Sequence, residues 1–326
     1  MIELDDITIS LPAGNPHAKK ILESVTLAVS AGEWVAVAGP NGSGKSTLLR
    51  AVAGLYPPVS GSVRVGAPRA RAPGGRGANA VVSLLLQEPD NQFVASSVRN
   101  ELLLCVDPSV DDGARERRIA DAVERFSLGA LLERNPHRIS GGEKQRLALA
   151  TAWLAGPDVL LLDEPASYLD PAERERCVGF VRELHRAGVT ILWATPAEED
   201  IREASRVVYV SEGRVRFDGP VREFLAAAGE GGFDVVPSGG MSPAAREISA
   251  LGGDGSPRPA GPSLGDTVIS MEELSFAYGE TDVFRGASGQ ILEFETVGIA
   301  GNNGSGKSTL LSLFGGVLEP TGGKIQ

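Results

Sequence analysis

Hydrophobic and polar positions alternate along residues 2–10 (IELDDITIS) and again along residues 24–30 (SVTLAVS), the period of strands with one buried face. Residues 33–39 (EWVAVAG) form a short apolar run, which predicts a buried strand. A helix is predicted from Lys45 to about Ala53, with Gly54 as its stop. Residues 66–79 are Gly, Pro and Arg rich and read as a loop. The continuous apolar run AVVSLLLQ, ending at Gln87, predicts a strand covered on both faces. Residues 96–135 are mainly helical in pattern, most clearly in RERRIADAVERFSL, and residues 141–156 predict an amphipathic helix ending at Gly156. DVLLLDEP at 158–165 is a further buried strand. Helix and strand then alternate through VGFVRELHRAG, VTILWAT and RVVYVSEG to FLAAA near Ala228. That alternation predicts a parallel sheet with crossover helices.

The pattern breaks at Gly229. From there to about Asp266 Gly, Pro, Ser and Ala dominate, which predicts a flexible linker. At Thr267 the opening pattern returns: VISMEELSFAYGE and QILEFETVGIAG repeat the strand pattern of the first 38 residues. The repeat extends to a glycine-rich loop present twice, GPNGSGKST at 39–47 and GNNGSGKST at 301–309. The stretches that follow, LLRAVAGLYPPVSGSV and LLSLFGGVLEPTGGKI, agree in their Leu, Gly and Pro positions. The expected organisation is therefore a first domain at 1–228, a linker at 229–266 and the N-terminal part of a second copy at 267–326.

Composition narrows the function. With 42% hydrophobic residues among 326, the chain can bury one large or two ordinary cores. A net charge of −11 argues against nonspecific nucleic-acid binding, which rests on clustered Lys and Arg. Cys105 and Cys177 lie far apart and fit neither a disulfide framework nor a zinc spacing, as in a reducing compartment. No apolar run approaches the roughly 18–20 residues needed to cross a bilayer, so any membrane role works through a partner.

Both glycine-rich loops fit G-x-x-x-x-G-K-[ST], in which backbone N–H groups and a helix N-terminus cradle phosphate oxygens. In the first copy Gly39, Pro40, Asn41, Gly42, Ser43, Gly44 and Thr47 form the cradle. Lys45 is expected to reach the β- and γ-phosphates of a nucleotide, and Ser46 to bind Mg²⁺. Gly301, Asn302, Asn303, Gly304, Ser305, Gly306 and Thr309 form the second cradle, with Lys307 and Ser308 in the matching roles. Asp163, at the end of a buried strand, is placed to hold the same Mg²⁺, and Glu164 to polarise an attacking water. An N-cap on the following helix is the plainer alternative for that acidic pair.

The segment HRISGGEKQRLALA decides between nucleotide-binding classes. Here the sequence resembles the ATP-binding subunits of ABC transporters, with Ser140, Gly141, Gly142 and Glu143 at the family's signature. A helix capping box is the bland alternative for these four residues. The order P-loop, Gln87, SGGE, LLLDEP, SYLD extends the resemblance over 1–228 in full and over 267–326 in part. It implies an α/β P-loop NTPase fold of ABC type: a RecA-like parallel sheet core, an antiparallel β subdomain and a helical signature subdomain, plus a partial second copy. It also implies ATP and Mg²⁺ as cofactors, Gln87 as the Q-loop residue that senses Mg²⁺ and meets the membrane partner, and Asp170 as the D-loop residue. QEPDNQF at 87–93 resembles the Q-loop of the energy-coupling-factor group, importers of vitamins and of cobalt and nickel. The implied partners are a transmembrane coupling subunit, a substrate-binding membrane subunit and a second ATPase domain, and the implied place is the cytoplasmic face of the membrane.

Two departures qualify the resemblance. The family carries a histidine after the strand that follows the D-loop helix; here VTILWATPAEED places Pro196 there, and His17, His137 and His185 lie elsewhere. The family also stacks adenine on an aromatic of the first strands. Tyr278 fits that role in LSFAYGE, whereas Leu11 holds the matching place in the first copy. In the head-to-tail pairing that the resemblance implies, the Lys45 site would be completed by a signature absent from this chain and turn over slowly. The Lys307 site would be completed by Ser140–Glu143. The second copy stops before any Q-loop, signature or acidic strand, so a fragment or shortened gene product is expected. Two alternatives stay open: a soluble twin ATPase acting on ribosomes or DNA, disfavoured by QEPDNQF and the acidic balance, and a noncatalytic regulatory ATP-binding subunit.

Overall fold

The chain's most apolar strands stand side by side because each needs cover on both faces. In the computed structural model, β3 (Trp34–Ala38), β6 (Val159–Asp163) and β7 (Thr190–Ala194) are buried at every residue. With β5 (Val82–Leu85), β8 (Arg206–Ser211) and β9 (Arg214–Pro220) they form one sheet in the order β5-β6-β7-β3-β8-β9. All neighbours run parallel except β9, which returns antiparallel along β8. Successive side chains of a strand point to opposite faces. Val35, Val37, Leu161 and Leu192 accordingly pack into one core cluster, and Ala36, Leu160, Leu162 and Trp193 into the other.

The first face is covered by α1 (Lys45–Val52) and by an antiparallel sheet of β1 (Ile2–Leu11), β2 (Lys19–Val29) and β4 (Ser60–Val65), in the order β2-β1-β4. The second face is covered by helices: α2 (Val98–Cys105), α3 (Asp112–Arg125), α4 (Gly141–Leu154) and α5 (Pro171–Arg186) all contribute to its cluster. A four-residue helix α6 (Glu198–Ile201) follows β7, and α7 (Val221–Gly229) follows β9. The described residues are 1–12, 18–66, 80–167, 169–229, 231–233, 235, 266–279, 281–295, 297–299 and 305–326. Among them no helix is long and apolar enough to cross a membrane.

The chain divides into two units, Met1–Ala244 and Ala245–Gln326. The second repeats a piece of the first. Strands β10 (Thr267–Tyr278), β11 (Thr281–Leu292) and β12 (Gly322–Ile325) form an antiparallel sheet in the order β11-β10-β12, with α8 (Lys307–Phe314) packed on it through Leu274, Phe276 and Leu313. The likeness reaches the irregularities. Asp6 and Glu273 both have φ 48°, and the register shifts at each: between Leu4 and Ile7, and between Met271 and Leu274. One expected element is not formed among the described residues. VGIAG reads as the strand that leads into the second P-loop, yet residues 297–299 form no strand, and Val297 is 46% exposed. In the first unit β3 exchanges ladders with β7 and β8 on its two sides. The described strands of the second unit are all antiparallel and offer no such neighbours, so the backbone groups of 297–299 have no ladder to join.

Candidate active site

The P-loop of the first unit runs from the C-terminal end of β3 into α1. Its turns require left-handed backbone at Gly39 (φ 144°), Gly42 (φ 77°) and Gly44 (φ 110°); a Cβ on Gly39 would lie 2.0 Å from the Val210 carbonyl oxygen. Asn41 and Gly42 are exposed, Pro40 and Ser46 half-buried, and Ser43, Gly44, Lys45 and Thr47 buried. Gly44 caps α1, and Leu48 N–H donates to its carbonyl at 2.8 Å. Lys45 Nζ donates to the carbonyls of Gly39 (2.8 Å) and Pro40 (3.1 Å). Burial holds its ammonium below the ordinary lysine range, against the pull of Glu164 and then of Asp163.

Two parallel strands bring the acidic pair to this loop. Ser46 Oγ donates to Asp163 Oδ1 at 2.8 Å, across 117 residues of sequence. Asp163 is 1% exposed and also has Arg50 Nη2 at 3.9 Å. Glu164, just beyond β6, sits at φ 50°, an uncommon conformation for a non-glycine residue, with its N–H bonded to Ala194 O at 2.9 Å. Its Oε2 accepts from Gln87 Nε2 at 3.4 Å and from Ser167 Oγ at 3.0 Å. Sequence reasoning found Gln87 and Glu164 but missed Arg50 and Ser167. Their only signal is spacing: Arg50 lies one helical turn beyond Ser46, and Ser167 three residues after Glu164.

Ser140 caps α4, and a full capping box is present: Glu143 N–H donates to Ser140 Oγ (3.4 Å), and Ser140 N–H to Glu143 Oε2 (2.7 Å). The bland reading of this motif is thus realised, and Ser140 and Gly141 are exposed at the helix N-terminus while Gly142 is buried. Asp170 likewise caps α5, accepting from Glu173 N–H at 2.9 Å. The segment after Gln87 is tied to α4: Asp90 accepts from Lys144 Nζ at 2.7 Å and meets His137 Nδ1 at 3.2 Å. The Lys144 hydrogen bond, ahead of the His137 contact, holds the Asp90 carboxyl below its ordinary range.

Pro196 is half-buried just past β7. The turn around it is fixed by polar neighbours instead. Thr195 Oγ1 donates to Asp200 Oδ2 at 2.8 Å, Ala197 N–H donates to Thr195 Oγ1 at 3.1 Å, and Arg174 pairs with Asp200 and with Glu199 (3.3 Å). Burial lifts the Asp200 carboxyl above its ordinary range, opposed by Thr195 and then Arg174. His185 is held elsewhere, with Nε2 3.0 Å from the Gly32 carbonyl at the opposite end of β3. His17 lies outside the described residues.

In the second unit Gly301, Asn302, Asn303 and Gly304 lie outside the described residues. Gly306 (φ 89°) caps α8 as Gly44 caps α1, and Leu310 N–H donates to its carbonyl at 2.8 Å. Lys307 and Thr309 are half-buried, and Ser305 and Ser308 exposed, so the described part of this loop is more open than the matching part of the first. Tyr278, at the end of β10, is 56% exposed and packs edge-on against Phe276 at 4.9 Å. Leu11 ends β1 in the equivalent place.

A phosphate-binding loop on a parallel sheet, an acidic strand end beside it and a capped signature helix together define a P-loop ATPase. The ABC transporter family profile matches residues 22–167 and 284–326. The chain belongs to the ABC transporter ATPases, whose activity is ATP hydrolysis coupled to transport. It is 38% identical over 225 residues to the energy-coupling factor transporter ATP-binding protein EcfA1 of Bacillus licheniformis, covering 68% of this chain and 79% of that protein. It is 33% identical over 347 residues to the ABC transporter ATP-binding protein BL0043 of Bifidobacterium longum. That match covers 99% of this chain and 44% of the relative, so the chain spans less than half of that protein's length. Among solved structures, cbiO1 of Clostridium perfringens, described as part of the ABC transporter complex cbiONQ, shares the fold with a TM-score of 0.58 at 24% identity. It covers 70% of this chain and 91% of that one.

Proposed function

We propose that the first unit binds MgATP at Gly39–Thr47 and that its hydrolysis energises uptake of a vitamin or metal cation by a transporter of the energy-coupling-factor type. The observation that carries this reading is the 2.8 Å contact of Ser46 with Asp163 beside a Glu164 carboxylate held by Gln87 and Ser167. The loop suits a phosphate: Ser43 Oγ is buried and has no hydrogen-bond partner among the described residues, and a phosphate oxygen would accept from it. The donor set suits Mg²⁺, which favours hard oxygens and takes one or two carboxylates alongside substrate phosphates. Ser46, Asp163 and Gln87 would hold the ion, which supplies charge neutralisation at the phosphates. Among the described residues no cluster of three His, Cys, Asp or Glu competes for a metal.

Lys45 then balances the charge of the β- and γ-phosphates, and the N-terminus of α1 adds its positive end. Glu164 polarises the attacking water and accepts its proton; the water oxygen bonds to the γ-phosphorus as the bond from that phosphorus to the β–γ bridging oxygen breaks, and ADP and inorganic phosphate depart. Gln87 and Ser167 fix the carboxylate for that task. Pro196 supplies neither a titratable group nor a backbone donor, so this site turns over slowly. Ser140–Glu143 serve ATP bound to a second ATPase domain, Asp170 acts at that interface, and Tyr278, Lys307 and Ser308 take the adenine, phosphate and metal roles of the second copy. The transmembrane coupling and substrate-binding subunits hold the chain at the cytoplasmic face. The similarity to an energy-coupling factor transporter ATP-binding protein supports the transporter type, and the vitamin or cation class rests on the resemblance of QEPDNQF at 87–93.

A complementation experiment tests the reading. Cells lacking the chain are supplied with the wild type or Glu164→Gln, and uptake of labelled cobalt, nickel, riboflavin and biotin is followed. The expected result is one substrate whose uptake the wild type restores and Glu164→Gln does not. Uptake of all four at control rates without the chain would contradict the substrate class.

A further inference from the structure

We propose that the first unit carries a second ligand site, distinct from the nucleotide loop, that takes a small organic anion with an apolar body. The site is a cavity of about 730 Å³ between α4, α5 and the C-terminal end of α3. That volume falls within the roughly 300–1,000 Å³ of small-molecule pockets. Its apolar wall is Phe126, Leu149, Leu169 and Phe180, with the two phenylalanines edge to face at 4.9 Å.

Two donors on the lining lack acceptors. Gln145 is 6% exposed, and its Nε2 and the Nε of Arg146 are buried with no hydrogen-bond partner among the described residues. A buried donor left without an acceptor is destabilising. Both groups donate, so an occupant toward which these side chains turn brings acceptor oxygens. The charge balance selects an anion. Arg125, Arg146 and Arg176 line the cavity against Glu173 and Glu183, one positive charge in excess within a chain of net charge −11. Both carboxylates are already engaged: Glu173 by Arg146 and Arg176, each at 2.7 Å, and Glu183 by Arg125.

Gly179 gives a separate indication. It lies inside α5 on the cavity lining, and a Cβ built there meets nothing within 4 Å. Glycine within a helix is less stable than alanine, and nothing crowds this position to require it. A bare backbone there keeps the cavity open. The site also adjoins the chemistry: Gln145 and Leu169 line a smaller cavity, about 250 Å³, whose wall includes Gln87 and Glu164. An occupant bears on the ATPase site through those two side chains.

The test uses the full chain and 2-naphthoate, a carboxylate on a flat apolar body, titrated calorimetrically. Wild type is expected to show one saturable site. Gly179→Leu fills the cavity from an uncrowded position; it is expected to keep wild-type ATP affinity and to bind naphthoate at least about tenfold more weakly, as is Arg146→Met, and neutral 2-naphthamide at least about tenfold more weakly than naphthoate. Absence of saturable binding by the wild type, or equal affinity in Gly179→Leu, or equal affinity for the neutral amide, overturns the proposal. ATP affinity measured on the same samples reports separately on the nucleotide site.

Discussion

The chemistry proposed for this chain rests on a few contacts between residues far apart in sequence. Ser46 and Asp163 meet at 2.8 Å, and the Glu164 carboxylate is held by Gln87 and Ser167. Ser46, Asp163, Glu164 and Gln87 were legible because each sits in a motif whose spacing carries a mechanism. Ser167 and Arg50 were not, since a serine or arginine near a motif has many uses, and only the folded chain shows which oxygen it faces. The same holds for the turn at Pro196. The sequence shows that the histidine is missing; the structure adds that Thr195, Asp200 and Arg174 fix the turn without it. Restoring the side chain alone therefore leaves its direction set by a network built around proline. Pro196→His is expected to change ATP turnover of the intact transporter by less than about tenfold. A properly placed acid–base group contributes about a hundredfold or more, and a gain of that size in the steady-state rate would show that the histidine alone was limiting.

At the scale of elements, the strands buried on both faces were the most legible. The apolar runs in β3, β6 and β7 leave no alternative to an interior place in a sheet, and their side chains divide between two cores. Elements defined by their neighbours were not. β9 carries charged residues at alternate positions, and its pairing with β8 is visible only in three dimensions. VGIAG has a strand's composition, but residues 297–299 have no parallel neighbours among the described residues of the second unit. The repeat is deepest in the antiparallel sheets, where β4 and β12 each begin near a glycine pressed against β1 or β10. Gly61 (φ 81°) would place a Cβ 2.3 Å from the Asp5 carbonyl oxygen, and Gly323 (φ 78°) 2.3 Å from that of Glu273. Alanine at Gly61 suffers both the backbone strain and the clash. Gly61→Ala is expected to destabilise the first unit by about 1–3 kcal/mol, read as a lower urea midpoint with an unchanged slope. An unchanged midpoint would show that β1 and β4 part there at little cost.

The whole molecule is acidic, with a net charge of −11, and among its described residues no helix is long and apolar enough to cross a membrane. The repeated P-loop suggests two equivalent ATPase units, and the structure makes them unequal. From Ser43 to Thr47 the first loop is largely buried, backed by a two-faced sheet and joined to an acidic strand; the described part of the second is more open and rests on three buried side chains. The account's central claim is that the first loop is the tighter of the chain's two nucleotide sites. Calorimetric titration of MgATP into the full chain and into Lys45→Ala tests it most directly. The account predicts that the wild type binds and that Lys45→Ala loses about a hundredfold or more in affinity, the equivalent of two charge-assisted contacts. Binding by Lys45→Ala at wild-type affinity would contradict it.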